Sequence, residues 1–375
     1  MRIGIDAHAA EQEGSGNCTY IRNLTTALMA MDRENEYTLY IIDKSHFFYA
    51  DFACRSNVRL REIHARRSFL RIPFFLAAAT FRDKLDILHV QYIGPPVHRG
   101  KLIATIHDLG FLHVPQTFSK PFVWRSKVLI RRTARHAARI ITGSQFSMRD
   151  IKDAYGLDER KISIVPCGIA PVFFEPAGRE RIEALCAKYE IQPPYILAVG
   201  RLNPRKNLVT LTRAFDRLKA EARIPHQLVL VGRKDFEATQ IIAMIREIRK
   251  HNIVLTGFVP DEDLPVLYQG ADIFVYPSLF EGVGLPLLEA MAAGTPVVTS
   301  NTSSLPEMAG DACLIVNPLD ETELAEAIFR LAEDRKLWAE CRRKGRLRAQ
   351  TFTWEAAARR TLEIYNNSAA KRGTV

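Results

Sequence analysis

Two carboxylates and two glycines stand close together in the stretch Phe280–Gly294. Glu281 and Glu289 are eight residues apart, and carboxylates accept paired hydroxyl donors such as those of a sugar ring or a ribose. Gly282 and Gly284 lie between them, and glycine allows a ligand to approach the backbone without a Cβ in the way. The stretch therefore predicts a binding site for sugar hydroxyls.

The elements around these residues add a phosphate site. The apolar run 271–277 is typical of a buried strand that a proline ends, while Pro286 suits the first turn of a helix and Gly294 its C-terminal cap. A strand, a glycine-rich loop and a short helix follow in order, and the start of a helix offers free N–H groups and a positive dipole end. We expect the free amides at this helix start to attract phosphate.

Two other interpretations of this stretch stay open from its residues alone. It is compatible with an ordinary strand–helix unit that carries a solvated acid at each end. It is also compatible with a hydrolase, because glycosidases place two working carboxylates roughly 5 to 9.5 Å apart. An eight-residue spacing across a loop and a helix does not determine that distance.

A second candidate loop, Gly200–Asn207, follows the apolar run 195–199. Arg201 and Lys206 flank a proline turn there, and an arginine fork with a mobile lysine charge suits phosphate oxygens. The second glycine of a P-loop is missing, which disfavours a kinase or NTPase. The alternative is a pair of surface cations without a ligand.

Two further signals lie in the first half of the chain. Gly14 and Gly16 form half of a dinucleotide fingerprint, with Thr19 where a third glycine belongs, so the loop covers a diphosphate or is a flexible turn. His107 follows the run 101–106, where it could position a hydroxyl, stabilise charge, or serve the fold alone.

No metal site is predicted. The acids 261–263 contain a D-x-D pattern, but they precede the helix-like stretch 264–268, where acids favour a helix N-terminus. The six cysteines are scattered without a C-x-x-C pair and resemble reduced cytosolic thiols. The chain begins with a strand pattern at 2–6, so we expect no signal peptide and a cytoplasmic protein.

The chain of 375 residues carries a net charge of +10, and this charge is concentrated in the first half. The stretch from Arg55 to Arg149 contains 18 lysines and arginines but only four acids. Such a surface favours an anionic partner, such as lipid headgroups on the inner face of a membrane, a phosphorylated acceptor or nucleic acid, or serves only solubility. Nucleic acid is not expected, because aromatic residues do not alternate with the basic cluster in a stacking pattern.

Short apolar runs alternate with amphipathic segments, which is typical of parallel sheets with crossover helices. Helices are expected at 207–220, 236–250 and 353–367, and a proline-rich passage from Pro166 to Pro194 marks the hinge. Strands are expected at 2–6, 37–42, 58–63, 86–90, 101–106, 139–142, 162–165, 195–199, 227–231, 253–256, 272–276, 296–299 and 313–316. The fold class is therefore α/β, with two doubly wound, Rossmann-like sheets and ligands bound beyond the carboxyl ends of their strands.

Together these motifs resemble the family 4 glycosyltransferases, which are retaining enzymes of the GT-B fold. The resemblance is strongest from Gly200 to Pro306 and weakest from about Phe47 to Lys84. It implies a first domain at 1–170, a nucleotide-sugar domain at 171–352 facing it across a cleft, and a last helix at 353–375 that crosses back to the first domain. Ser304-Leu305-Pro306-Glu307 is a further element similar to the family pattern.

The resemblance also implies roles for the candidate residues. Arg201 and Lys206 would neutralise the donor diphosphate, and the backbone amides of Val283, Gly284 and Leu285 would complete its binding site. Glu289 would hold the ribose, and Glu281 and His107 would contact the transferred sugar. The loop of Gly14 and Gly16 would close over the donor, and the base would stack or hydrogen-bond near Phe258 and Val259. Val283 replaces the aromatic residue that is commoner at this point of the motif.

The function implied is transfer of a hexose, with mannose preferred, from GDP-mannose or another nucleotide diphosphate sugar, without a separate cofactor or metal. The acceptor would be a glycan or a lipid-linked glycan in the synthesis of cell-surface polysaccharide. A nucleotide-sugar epimerase of the same fold and a non-enzymatic binding protein for nucleic acid or an anionic surface are the alternatives.

Overall fold

The computed structural model describes residues 1–63, 70–235, 238–248 and 253–370. Its strands are β1 Arg2–Asp6, β2 Glu36–Ile41, β3 Val58–Glu62, β4 Ile87–Gln91, β5 Lys101–Thr105, β6 Arg139–Thr142, β7 Ile162–Ile164, β8 Tyr195–Val199, β9 Gln227–Val231, β10 Ile253–Gly257, β11 Ile273–Tyr276, β12 Val297–Ser300 and β13 Leu314–Val316. Each begins and ends within about one residue of a predicted strand, so the alternation read from the sequence is confirmed.

The α-helices of the described residues are α1 Gly16–Met31, α2 Ala50–Ala53, α3 Ala77–Arg82, α4 Gly110–His113, α5 Lys120–His136, α6 Gln145–Tyr155, α7 Arg179–Lys188, α8 Leu208–Ala220, α9 Ala238–Ile248, α10 Leu264–Gly270, α11 Leu285–Ala293, α12 Leu305–Ala309, α13 Glu321–Glu333, α14 Arg335–Ala349 and α15 Trp354–Ala370. A π-helical turn, Arg71–Leu76, runs directly into α3.

The predicted helices at 207–220 and 353–367 are confirmed as α8 and α15. The predicted helix 236–250 is confirmed as α9 over its described part, and its outer residues, 236–237 and 249–250, lie outside the described residues. Arg66 and Arg67 of the basic stretch also lie outside them.

The chain forms two compact units. The first contains residues 1–109, 121–168 and the chain from Trp354 onward, and the second contains residues 110–120 and 169–353. The last helix therefore belongs to the first unit, although the whole second unit precedes it in the sequence.

The first unit has one sheet of seven parallel strands in the order β3-β2-β1-β4-β5-β6-β7. Helix α15 packs along α1, and its Tyr365 hydroxyl lies 2.6 Å from Nδ1 of buried His89. The chain reverses its direction of winding between β1 and β4. Loops that follow these two strands therefore lie at the switch point where doubly wound sheets bind ligands.

The second unit repeats this order with six parallel strands, β10-β9-β8-β11-β12-β13. Its core is formed by apolar side chains of the sheet and of α8, α9 and α13, among them Ile196, Leu228, Phe215 and Ile328. Strands β8 and β11 are neighbours at the switch point. The two candidate loops, 200–207 and 277–284, follow these strands and leave the sheet side by side.

The fold is therefore α/β with two doubly wound parallel sheets, as predicted. None of the helices in the described residues is long and apolar enough to cross a bilayer.

Candidate active site

A tight turn at residues 282–285 leads into α11. Gly284 has a left-handed conformation with φ of +81°, and a Cβ there would lie 2.7 Å from Cδ2 of Leu305. Pro286 lies in the first turn of the helix and Gly294 caps its end at φ of +80°, which confirms both predictions. Only glycine at position 284 fits both the backbone angle and the neighbouring side chain.

The amides of this turn are available to a ligand. Val283, Gly284 and Leu285 donate no backbone hydrogen bond to any residue that the structure describes. They stand at the N-terminal end of α11, where the helix dipole adds a partial positive charge. The geometry of the turn is therefore compatible with an anion.

Lys206 lies beside this turn on the loop that follows β8. Asn203 orders that loop, because its Oδ1 accepts the amide of Arg205 at 2.9 Å. Gly200 leaves room for the lysine: a Cβ at Gly200 would lie 3.0 Å from Cε of Lys206. The Nζ of Lys206 then donates to the hydroxyl of Tyr276 at 2.5 Å, at the end of β11.

Glu281 forms ion pairs with two cations of that loop. Its Oε1 lies 2.6 Å from Nζ of Lys206, and its Oε2 lies 2.8 Å from Nη1 of Arg205. Burial favours the neutral acid, but Arg205 and Lys206 outweigh burial and lower the pKa of Glu281 to about 2. The carboxylate therefore stays ionised and neutralises part of the positive charge beside the turn.

Lys206 and Glu281 are both buried, with exposed fractions of only 9% and 7%. Burial of these charges is tolerated because each has a partner within hydrogen-bonding distance. Removing one member of the cluster should therefore affect folding.

The backbone of Glu281 is also held in place. Its amide donates to Oγ of Ser303 at 2.9 Å, and its carbonyl accepts the hydroxyl of Ser304 at 2.9 Å. Ser303 has a positive φ of 53°, which is uncommon outside glycine. Ser304, in the family-like element 304–307, thus supports the loop that carries Glu281.

Glu289 lies one turn into α11, partly buried, and its Oε2 accepts the hydroxyl of Tyr268 at 3.0 Å. Burial raises the pKa of Glu289 to about 7, and the negative charge of Asp261 acts in the same direction. The two carboxylates of the motif therefore differ. Glu281 is permanently ionised, while Glu289 changes its charge near neutral pH.

Arg201 is directed to a different partner. Its Nη1 lies 3.6 Å from Oδ2 of Asp235, and its side chain is largely exposed. Arg205, which sequence reasoning did not single out, takes the place beside Glu281 and also donates to the carbonyl of Phe280. The sequence feature that could have identified Arg205 is its position directly before Lys206.

A cavity of about 630 Å³ lies beyond the ends of β9 and β10. Phe258 lines it, with the guanidinium of Arg233 3.9 Å from its ring centroid. Lys234 and Arg246 add positive charge to the cavity wall. Val259, the next residue, is buried.

His107 of the first unit follows β5 and lies between two aromatic rings. Its ring centroid is 4.6 Å from that of Tyr20 and 5.5 Å from that of Tyr92, both edge-on. Its Nε2 lies 3.0 Å from Oε1 of Gln91, at the end of β4. Burial lowers the pKa of His107 to about 4, so the imidazole is neutral at physiological pH.

Gly14 and Gly16, at the start of α1, differ in whether their positions require glycine. Gly14 has a φ of +70°, which suits glycine, while a Cβ at Gly16 would have no other atom within 4 Å. Ser15 caps the helix by accepting the amide of Cys18 at 3.2 Å. The loop is therefore an ordered helix start and not an unstructured turn.

Asp263, the last of the acids 261–263, does not cap the following helix with its side chain as was expected. Asp263 stands at the N-cap position of α10, but its side chain makes no capping hydrogen bond. It accepts instead from Nζ of Lys188 at 2.7 Å and from the hydroxyl of Tyr189 at 2.9 Å. Among the described residues, no group of three or more acids, histidines or cysteines is placed to hold a metal.

Comparison with known proteins decides the family. The sequence model described as Glycosyl transferases group 1 matches residues 181–348, and the one described as Glycosyltransferase Family 4 matches residues 16–172. O-antigen chain mannosyltransferase B of Escherichia coli is 32% identical over 81% of this chain and 78% of its own. This chain belongs to glycosyltransferase family 4.

Other relatives of this glycosyltransferase agree. The MMP alpha-(1->4)-mannosyltransferase of Mycolicibacterium hassiacum is 31% identical over 76% of this chain and 68% of its own. Sucrose-phosphate synthase from Thermosynechococcus elongatus has the same fold, with a TM-score of 0.80 at 22% identity over 99% of this chain and 100% of its own. The fold is therefore GT-B.

Proposed function

We propose that this glycosyltransferase is a retaining, metal-independent hexosyltransferase. It moves mannose from GDP-mannose, or a hexose from another nucleotide diphosphate sugar, to a glycan or lipid-linked acceptor in the synthesis of cell-surface polysaccharide. The similarity to two mannosyltransferases, at 32% and 31% identity, supports the choice of mannose. A UDP-hexose is the competing donor.

One observation carries the proposal: buried Lys206 and partly buried Arg205 lie beside free amides at the switch point of the second sheet. Departure of the nucleoside diphosphate builds negative charge on its β-phosphate. Lys206, Arg205 and the amides of residues 283–285 can bind that charge without rearranging. Arg201, exposed on the same loop, would close on the other phosphate. These groups supply the charge that a metal would otherwise provide.

The two carboxylates have different tasks in this proposal. Glu281 still has free lone pairs on its two oxygens, because a carboxylate offers about four acceptor sites and its cations use two. It accepts hydroxyls of the transferred sugar and stabilises positive charge on the ring. Glu289, when ionised, accepts the ribose hydroxyls.

The remaining assignments follow the family resemblance. His107, neutral at physiological pH, accepts or donates a hydrogen bond to the transferred sugar near the reacting carbon. The loop of Gly14 and Gly16 covers the donor. The base lies near Phe258 and Val259, where the cavity beyond β10 has room for it. The leaving phosphate deprotonates the acceptor hydroxyl on the same face of the sugar, which retains the anomeric configuration.

A lipid-linked acceptor would bring the enzyme to the inner face of a membrane as a peripheral protein. The concentration of cations between Arg55 and Arg149 supports this location.

Thermal-shift screening against nucleotide sugars tests the proposal, because a ligand that binds only the folded state raises the midpoint temperature. GDP-mannose should give the largest shift among GDP- and UDP-hexoses, and the Glu289→Gln variant should lose most of it. If no nucleotide sugar shifts the midpoint, the donor site is wrong.

Release of nucleotide separates the transferase from the epimerase. A transferase releases nucleotide from its donor mainly when an acceptor is present, while an epimerase releases it without one. If the purified protein rapidly releases nucleotide without an acceptor and also forms a free epimerised sugar, the reaction is epimerisation and not transfer.

A further inference from the structure

Helix α5 presents an apolar stripe to solvent. Trp124 is 72% exposed, and Val128, one turn later, is also exposed. They lie opposite the buried face of the helix, which contains Ser126, Ile130 and Thr133. A tryptophan exposed to this degree is unusual on a surface that has no partner.

Cations border this stripe, and acids are absent from it. The exposed cations of α5 are Lys120, Lys127, Arg131, Arg132 and Arg135. The 17 residues of α5 contain no aspartate or glutamate. The helix therefore combines an exposed aromatic residue with a uniformly positive border.

The segment 70–82 repeats this composition. Phe74 is 63% exposed, Phe75 and Phe81 are exposed as well, and the segment contains Arg82 but no acid. Arg71, at the start of the π-helical turn, is buried and donates to Oδ2 of Asp6 at 3.0 Å. This ion pair fixes the turn to the end of β1, while its phenylalanines face solvent.

The loop 94–100 joins the two helical segments. The amide of Gly94 donates to Oγ1 of Thr133 in α5 at 3.0 Å, and the amide of Arg99 donates to Oγ1 of Thr80 in α3 at 3.0 Å. Val97, in the same loop, is 62% exposed. The three segments are thus connected within the first unit, and we name them together the aromatic-basic surface (70–82, 94–100 and 121–136).

The acid that follows this surface does not weaken its charge. Asp83 is buried, pairs with Nη2 of Arg61 at 2.6 Å and accepts the hydroxyl of Tyr40 at 3.0 Å. The aromatic-basic surface therefore offers only positive charge and apolar side chains. Anionic headgroups attract such cations, and tryptophan and phenylalanine enter the boundary between headgroups and acyl chains.

We infer that the aromatic-basic surface docks on an anionic lipid bilayer, with Trp124 and the phenylalanines of 70–82 inserted at the interface. The inference rests on the peripheral location proposed above, and it specifies the surface and the side chains that make the contact. Docking itself requires no donor and no transfer.

Vesicle binding tests the inference in the full chain. Tryptophan fluorescence and co-sedimentation are measured with phosphatidylcholine vesicles and with vesicles that contain phosphatidylglycerol, at low and high salt. We expect sedimentation and a blue shift only with the anionic vesicles, weaker at high salt. Trp338 and Trp354 are less exposed, so Trp124→Phe should remove most of the shift.

Two sets of variants separate the contributions of the surface. Phe74→Ser with Phe75→Ser, and Arg131→Ala with Arg135→Ala, should each reduce the bound fraction by several-fold. The matched control, Leu319→Ser with Leu347→Ser, removes two exposed apolar side chains of the second unit and should bind like the unmodified protein. Equal melting temperatures show that the variants fold.

Three outcomes would overturn the inference. The first is that the protein does not sediment with anionic vesicles at any salt concentration. The second is that the control variant loses as much vesicle binding as the surface variants. The third is that the protein binds polyuridylate but not vesicles. Donor binding, measured by thermal shift in the same variants, should stay unchanged. If the protein binds vesicles but no donor, the result contradicts only the proposed transfer reaction. If it binds a donor but no vesicles, the result contradicts only the docking surface.

Discussion

The Nζ of Lys206 lies 2.6 Å from Oε1 of Glu281, and both side chains are almost inaccessible to solvent. The two residues are 75 positions apart in the chain, on loops that follow neighbouring strands. Their pairing fixes the distance between the loop at 200–207 and the loop at 277–284.

Breaking this pair should destabilise the protein. Glu281→Ala leaves buried Lys206 and partly buried Arg205 without a counter-charge, which costs roughly 3–5 kcal/mol of the free energy of unfolding. The double variant Lys206→Met with Glu281→Gln should recover much of that stability but no transfer. Urea unfolding and a transfer assay measure both. A Glu281→Ala protein as stable as the unmodified one would show that the cluster contributes nothing to the fold.

Glu281 should also give the protein a specific sensitivity to acid. Its folded pKa of about 2 lies below the ordinary value of 4.5, so its stabilisation is complete above pH 4.5 and is lost as the pH falls toward 2. The shift corresponds to about 3 kcal/mol. Urea unfolding at pH 7, 4.5 and 3 should show a smaller loss in Glu281→Gln, and equal losses would contradict the low pKa.

Glu289 should make donor binding depend on pH near neutrality. Hydroxyl donors bind the ionised carboxylate, so affinity should fall by about tenfold between pH 8 and pH 6 if its pKa is about 7. Tyr268→Phe removes the hydroxyl that lowers this pKa and should move the midpoint to higher pH. Calorimetric titration with the donor measures both, and an unchanged profile in Glu289→Gln would remove its ribose role.

Gln91 should influence the protonation state of His107. In Gln91→Glu a carboxylate replaces the amide beside Nε2 and should raise the pKa of His107 by roughly 1–3 units from about 4. NMR titration of the ring measures the shift, and a transfer rate that falls at the same pH would show that the neutral ring is needed. Gln91→Leu is the control without a charge. A pKa that stays near 4 in Gln91→Glu would show that Gln91 does not reach the ring in solution.

Two glycine substitutions form a matched pair. Gly284→Ala meets Leu305 at 2.7 Å and requires a positive φ, so it should cost roughly 1–3 kcal/mol and weaken donor binding. Gly16→Ala meets no other atom within 4 Å and should change stability by about 1 kcal/mol or less. Thermal unfolding with and without donor compares them. Similar effects of the two would contradict the geometry of the turn at 282–285.

The elements of this protein were predictable because their signals are local. Apolar alternation placed the strands, and Pro286 and Gly294 placed the start and end of α11, since each acts through its own backbone angles. The motif around Glu281 and Glu289 indicated the family for the same reason: its residues are close in the sequence. The order of the strands then brought the two candidate loops together.

Only the tertiary structure decided how the charges are shared. It paired Arg205 with Glu281, directed Arg201 toward Asp235, and gave Asp263 to Lys188 in place of a capping role. It also buried Lys206 and Glu281. These outcomes depend on side chains from distant parts of the chain and on the solvent they exclude, and no spacing within one segment encodes either.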